Sequence, residues 1–288
     1  MIVPTSKPFT SMLLEATIKS IVKYFPFIYV SKIGTSRMGR PIYALTLGHG
    51  GKNVLINAAH HANEWITSVL LMKFLEECAA QPAWTCVTTL HIVPMVNPDG
   101  VDLVTGGLGF LRPIYKNAKA MAGDLPFPKC WKANAIGVDL NSNYPANWEE
   151  ARRKKFEMGY TVPGPRDYVG AYPLSEPESN AMAMYTIAND FDLTISLHTQ
   201  GEEIFWQYEN YNPAGAAELA AKFSKASGYQ CVDVPPESSH AGYRDWFIQT
   251  FNRPGFTIEC GLGENPLPIF HFDSIYKKIA PLLWEALL

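Results

Sequence analysis

Asn53-Val-Leu-Ile-Asn-Ala58, then Ala59-His-His-Ala-Asn-Glu-Trp65, then Ile66–Cys78: an apolar run, a short polar junction and a helix-spaced run follow one another without a break. The first run reads as a strand buried on both faces. The third reads as an amphipathic helix. The junction gathers imidazoles and a carboxylate where a strand ends and a helix begins. Ligand sites in layered sheets of this kind collect just outside the strand ends.

The same alternation extends in both directions. Residues 10–25 carry Leu13, Leu14, Ile21, Val22 and Phe25 at helical spacing, stopped by Pro26. Phe27–Ile33 and Ile42–Leu47 predict a hairpin. Val87–Val96 predicts a strand that ends at Asn97-Pro-Asp-Gly100, a turn signal. The Gly-, Pro- and Asn-rich zone from Thr105 to Pro173 reads as functional loop. Ser175-Glu-Pro-Glu178 has the capping-box pattern and predicts a helix to about Asn189. A strand over Asp192–Leu197, a helix near Pro213–Ser227, a strand over Gly255–Glu259 and a helix over Asp273–Leu287 complete the series. Alternating strands and helices indicate an α/β layered fold.

Composition narrows the function classes. The 288 residues are 47% hydrophobic and 18% charged, as in ordinary globular proteins, and carry a formal charge of −3. That balance gives no basic field for a nucleic-acid partner. The run Arg152-Arg-Lys-Lys155 reads as a solvated helix face. No stretch approaches the ~18 apolar residues that span a bilayer, so no membrane partner is expected. Cys78, Cys86, Cys130, Cys231 and Cys260 are odd in number and share no Cys-x-x-Cys spacing, which argues against a disulfide framework. Met1–Lys7 lacks the zones of a secretion signal, and the expected location is cytoplasmic. A wall-associated protein trimmed of its leader has the same reading.

Three residues carry the chemistry. His61 and Glu64 are three apart at the strand-to-helix junction, a spacing that lets both side chains converge; His60 is the nearest rival but lacks it. His198 ends a second apolar run, Leu193-Thr-Ile-Ser-Leu-His198. Two imidazoles and a carboxylate form a three-ligand zinc set with a fourth position open for water or substrate. Glu259 ends Gly255-Phe-Thr-Ile-Glu259. A carboxylate at the tip of a buried strand needs a partner. It reads either as a salt-bridge residue or as a general base toward water made acidic by zinc.

At these residues the sequence resembles the zinc carboxypeptidase family. The motifs are His-x-x-Glu-Trp at 61–65, Asn-Pro-Asp-Gly at 97–100, Gly-Val-Asp-Leu-Asn at 137–141, the strand-end His198 and Phe-Thr-Ile-Glu at 256–259. The resemblance implies a single α/β domain over 1–288, with a mixed, roughly eight-stranded sheet. It implies one zinc ion held by His61, Glu64 and His198, with Glu259 as base. Further segments resemble the bacterial branch: Tyr144-Pro-Ala-Asn-Trp-Glu149, Tyr243-Arg-Asp-Trp-Phe-Ile248 and Gly261-Leu-Gly-Glu-Asn-Pro-Leu-Pro268 among them. That branch cleaves cell-wall peptides between γ-D-glutamate and a diamino acid.

Departures from the parent family refine the expectation. Where carboxypeptidases carry an Arg after the Asn that matches Asn141, this chain has Ser142. A hydroxyl cannot make the bidentate contact of a guanidinium, so ordinary C-terminal trimming is disfavoured. Asn141 keeps one hydrogen bond for substrate. Lys132 stands where the family has the Arg that polarises the scissile carbonyl, which implies oxyanion stabilisation. Arg244 matches the pocket-floor residue that sets side-chain preference; it is expected to read the second carboxylate of diaminopimelate, or else to pair with Asp245. Tyr243 is carried as a substrate-binding candidate; it lies near the position of the family's closing tyrosine, but the register points closer to Glu237, and that role is left unassigned. The leading expectation is a zinc metallopeptidase acting on the γ-D-glutamyl–meso-diaminopimelate bond of peptidoglycan peptides. The alternatives are a broader metallocarboxypeptidase and a zinc deacylase of small N-acyl amino acids.

Overall fold

The computed structural model describes residues 2–288, with the side chains of all of these except Pro82 and Glu237. Helix α1 (Ser11–Tyr24) is capped by the Thr10 hydroxyl, which accepts from the Leu13 N–H at 3.1 Å. It leads into β1 (Tyr29–Thr35) and β2 (Pro41–Leu47), the antiparallel hairpin that the sequence predicts. Strand β3 (Lys52–Ala58), helix α2 (Ile66–Ala80) and strand β4 (Thr88–Val93) follow. Then come α3 (Pro98–Thr105), α4 (Pro113–Ala122), α5 (Trp148–Glu157), α6 (Pro177–Asn189), β5 (Leu193–His198) and β6 (Glu203–Phe205). The chain closes with α7 (Ala216–Ser227), β7 (Gln230–Cys231), α8 (Tyr243–Phe251), β8 (Gly255–Glu259) and α9 (Phe272–Glu285).

All eight strands join one mixed sheet in the order β1-β2-β4-β3-β5-β8-β6-β7. The central strands β4, β3, β5 and β8 run parallel. Their apolar runs are buried on both faces, as parallel strands require. Successive side chains alternate between the layers. Val54, Ile56 and Ala58 join the core under α1, α2, α7 and α9, while Leu55 joins a second core with α6 and α8.

Four local expectations change. Helix α2 is not amphipathic: twelve of its residues are buried, because α9 covers the side that faces away from the sheet. Asn97-Pro-Asp-Gly100 starts α3 rather than making a turn. The Asn97 side chain accepts from the Gly100 N–H at 3.0 Å, and Pro98 takes the first helical position. Ser175 does not cap α6; the cap position is Glu176, and Glu178 instead accepts from the Arg37 N–H at 2.9 Å. The loop zone contains α4 and α5. Within α5, Lys155 leaves the solvated face and pairs with Asp167 at 2.5 Å in a buried position.

Candidate metal centre and cleft

Strand β3 ends at Ala58, and Ala59 turns the chain with φ 53°. A single 3-10 turn, Ala62–Glu64, then sets His61 and Glu64 on one side of the junction. The Ala62 N–H donates to the Lys132 carbonyl at 2.9 Å, which ties the loop carrying Lys132 to the same spot. Asn97 braces the junction from below, its amide donating to the His60 carbonyl at 3.1 Å. A Cβ at Gly100 would lie 2.6 Å from that Asn97 amide nitrogen, so the motif ends in glycine. Across the sheet, His198 ends β5 directly beside Glu259 at the end of β8.

His61, Glu64 and His198 are buried, and their donor atoms all lie within 4.8 Å of one another. His61 Nδ1 is 2.9 Å from Glu64 Oε1, His198 Nδ1 is 2.9 Å from Glu64 Oε2, and the two Nδ1 atoms are 3.2 Å apart. Two imidazole nitrogens and a carboxylate aimed at one point form the donor set of a zinc site. A tetrahedron with metal–ligand bonds of ~2.0–2.1 Å places its donors roughly 3.3 Å apart, close to the spacing found here. The chain's own groups therefore fit a zinc ion. The second nitrogen of His61, Nε2, lies 3.2 Å from Asp139 Oδ1, the outer-shell contact that fixes a ligating imidazole's orientation. His198 Nε2 is buried without a hydrogen-bond partner.

The donor group opens onto a cleft of about 350 Å³ bordered by Lys132, Asn141, Arg244 and Glu259 among others. Burial and the nearby Glu64 carboxylate push the Glu259 carboxyl up to about 8, the direction expected of a proton acceptor in a dry site. Burial opposes the charge on Lys132, but the Glu64 and Asp139 carboxylates outweigh it and keep the ammonium protonated. Lys132 Nζ stands 3.8 Å from Glu64 Oε1. Asn141 Oδ1 accepts from the Tyr243 N–H at 3.1 Å, which leaves its amide NH2 for the cleft.

Arg244 makes the pair with Asp245, one of its two sequence readings. Its guanidinium is buried and bonds to Asp245, through Nε at 3.0 Å and through a shorter Nη2 contact. It nevertheless borders the cleft and an adjoining hollow that Tyr208, Glu209 and Asp233 help to line.

Other candidates sit elsewhere. Tyr243 is fully buried: its hydroxyl lies 2.8 Å from Thr186 Oγ1 and its ring packs on Tyr144. The first turn of α8 points it into the core, away from the lining of the cleft. Ser142 is half-buried and does not border the cleft. The Glu237 side chain lies outside the described residues. His60 is buried against Tyr144, with Nε2 2.9 Å from the phenol oxygen, and its ring stacks behind His198. Asp139 received no role from sequence, although it lies inside the quoted Gly-Val-Asp-Leu-Asn motif. Glu203, another cleft residue, was missed because β6 has only three residues and so no readable period.

Comparison with known proteins bears on the family and the fold. The γ-D-glutamyl-L-diamino acid endopeptidase 1 of Lysinibacillus sphaericus is 40% identical over 273 residues, 91% of this chain and 67% of its own length. The YqgT protein of Bacillus subtilis (strain 168) is 40% identical over 288 residues, 95% of this chain and 76% of its own. The structure of bovine thrombin-activatable fibrinolysis inhibitor, bound to a tick carboxypeptidase inhibitor, shares the fold with a TM-score of 0.76 at 19% identity. That superposition covers 98% of this chain and 97% of that one. The family model described as zinc carboxypeptidase matches residues 14–277. That match takes in β1 to β8 and every candidate residue of the cleft, and the chain belongs to the zinc carboxypeptidase family of metallopeptidases.

Proposed function

We propose that this chain, acting as one catalytic domain with one zinc ion held by His61, Glu64 and His198, hydrolyses the γ-D-glutamyl–meso-diaminopimelate bond of peptidoglycan peptides. The observation that carries the reading is the cleft itself: three convergent donors, the Glu259 carboxylate beside them, and the Arg244 guanidinium on its border. The relative from Lysinibacillus sphaericus, whose name specifies a γ-D-glutamyl-L-diamino acid bond, supports the choice of substrate.

Bound zinc supplies a Lewis acid that polarises the scissile carbonyl and makes water acidic near neutral pH. The chain's own residues do the rest. Glu259 takes a proton from the attacking water as the new C–O bond forms. It returns that proton to the departing diaminopimelate nitrogen as the C–N bond breaks. Lys132 places an ammonium against the oxygen that gains charge. Asp139 holds the His61 ring, 3.2 Å from Nε2, in the orientation that binding requires. Asn141 donates one amide hydrogen bond to substrate. Arg244 pairs with the second carboxylate of diaminopimelate using the part of its fork that Asp245 leaves free.

The test is direct. Incubation of the metal-loaded chain with L-Ala-γ-D-Glu-meso-diaminopimelate is expected to release L-Ala-D-Glu and free diaminopimelate, detected by mass, and a chelator is expected to stop it. An intact tripeptide alongside rapid trimming of ordinary C-terminal dipeptides would favour the broader carboxypeptidase and overturn this reading.

A further inference from the structure

Three carboxylates border the cleft: Glu203, Asp245 and Glu259. Two have a task. Asp245 accepts from Arg244 and, at 3.3 Å, from the Gly242 N–H. Glu259 is the proposed base. Glu203 has neither a hydrogen bond nor an ion pair for its carboxylate among the described residues. The nearby Lys278 pairs with Glu202 instead, at 2.6 Å.

The position of Glu203 gives that unmet charge a direction. Strand β6 runs antiparallel to β8 with Glu203 opposite Glu259 and Phe205 opposite Thr257. Partners in such pairs share a face of the sheet, and like charges directly opposite each other weaken it. Among the described residues, no cation of the chain pairs with Glu203. On the same wall the Arg244 guanidinium lies 6.0 Å from the centre of the Phe205 ring. The border of the cleft thus carries the Glu203 carboxylate, the Phe205 ring and the Arg244 guanidinium together.

We propose that Glu203 receives the side-chain ammonium of the diamino acid, while Arg244 takes the adjacent carboxylate when the substrate has one. This rests on the function proposed above and specifies how its substrate class is read. Lysine offers an ammonium alone and engages Glu203. Diaminopimelate offers a zwitterion and engages both residues. An ammonium between Glu203 and the ring is held by charge on one side and by the aromatic face on the other.

Three peptides decide the matter: L-Ala-γ-D-Glu followed by meso-diaminopimelate, by L-lysine or by Nε-acetyl-L-lysine. kcat/KM is measured on each with the metal-loaded full chain and with Glu203→Gln, Glu203→Asp and Arg244→Ala. The wild-type chain is expected to prefer lysine to acetyl-lysine. Glu203→Gln is expected to shrink that preference roughly 30-fold or more, chiefly through KM, with Glu203→Asp restoring part of it. Arg244→Ala is expected to lower the diaminopimelate rate while leaving the lysine preference over acetyl-lysine in place. Equal losses on lysine and acetyl-lysine in Glu203→Gln overturn the inference, since the residue then acts through Glu259 or through the fold. No wild-type preference for lysine over acetyl-lysine overturns it as well, while cleavage of the γ-D-glutamyl bond keeps the function intact. Failure to cleave any of the three overturns both.

Discussion

Replacing Asp139 with Asn removes one charge while keeping the shape of the side chain, and it isolates what that carboxylate does for His61. Asp139 Oδ1 lies 3.2 Å from His61 Nε2 and also accepts from the Asn141 N–H at 3.1 Å. Its Oδ2 accepts from the Asp167 N–H at 3.2 Å. Asn retains one oxygen and so keeps one of the two backbone contacts; losing the other costs about 1 kcal/mol of stability. The larger effect falls on the metal. Outer-shell carboxylates of this kind are worth roughly 10–100-fold in metal affinity, or about 1.4–2.7 kcal/mol. Both partners are buried, so solvent does not screen the contact away. Asp139→Asn is therefore expected to weaken zinc binding at least tenfold in a chelator competition, and to lose activity at limiting zinc that returns as zinc is raised. A zinc affinity within twofold of the wild-type value would refute the reasoning, because the orientation of His61 would then owe nothing to Asp139.

Other outcomes follow from the same contacts. Glu259→Gln is expected to lower kcat by 10²-fold or more while zinc content, read by metal analysis, stays at the wild-type level. Tyr243→Phe breaks the contact to Thr186 inside the core; it is expected to cost about 0.5–1.5 kcal/mol in a urea melt and to leave KM within twofold. A large KM effect would return Tyr243 to the substrate site. Burial pushes the Glu178 carboxyl up to about 7 from an ordinary 4.5. Between those values the folded chain holds a proton that the unfolded chain has released, so stability falls as pH rises through this window and is level above it. The fall is on the order of 3 kcal/mol, and Glu178→Gln is expected to abolish it. Parallel stability curves for the two proteins from pH 5 to 8 would show that Glu178 titrates normally.

Much of the centre is legible in the sequence alone. The runs ending at Ala58, His198 and Glu259 are long and apolar because β3, β5 and β8 are covered on both faces, and a polar side chain at the end of such a run stands out. The His-x-x-Glu spacing needed only the strand-to-helix junction to converge. Other features had no local signal. Strands β6 and β7 have three and two residues, too few to show a period of two. Helix α8 went unread because six of its residues are buried, which erases the polar stripe of a surface helix. Asn97-Pro-Asp-Gly100 carries residues that serve a turn and a helix start equally well, and only the chain that follows it decides between them.

The sequence by itself determined the long apolar strands and most of the helices between them, the residue types at those strand ends, and the His61–Glu64 pair, since these depend on backbone period and on neighbours a few residues away. Tertiary structure alone decided which side chains meet. Asp139 reaches His61 across 78 residues of chain, Glu203 faces Glu259 because β6 turns back along β8, and Tyr243 points into the core while its neighbour Arg244 borders the cleft. Those relations come from sheet order and close packing, which bring distant segments together and leave each side chain one direction in which to lie.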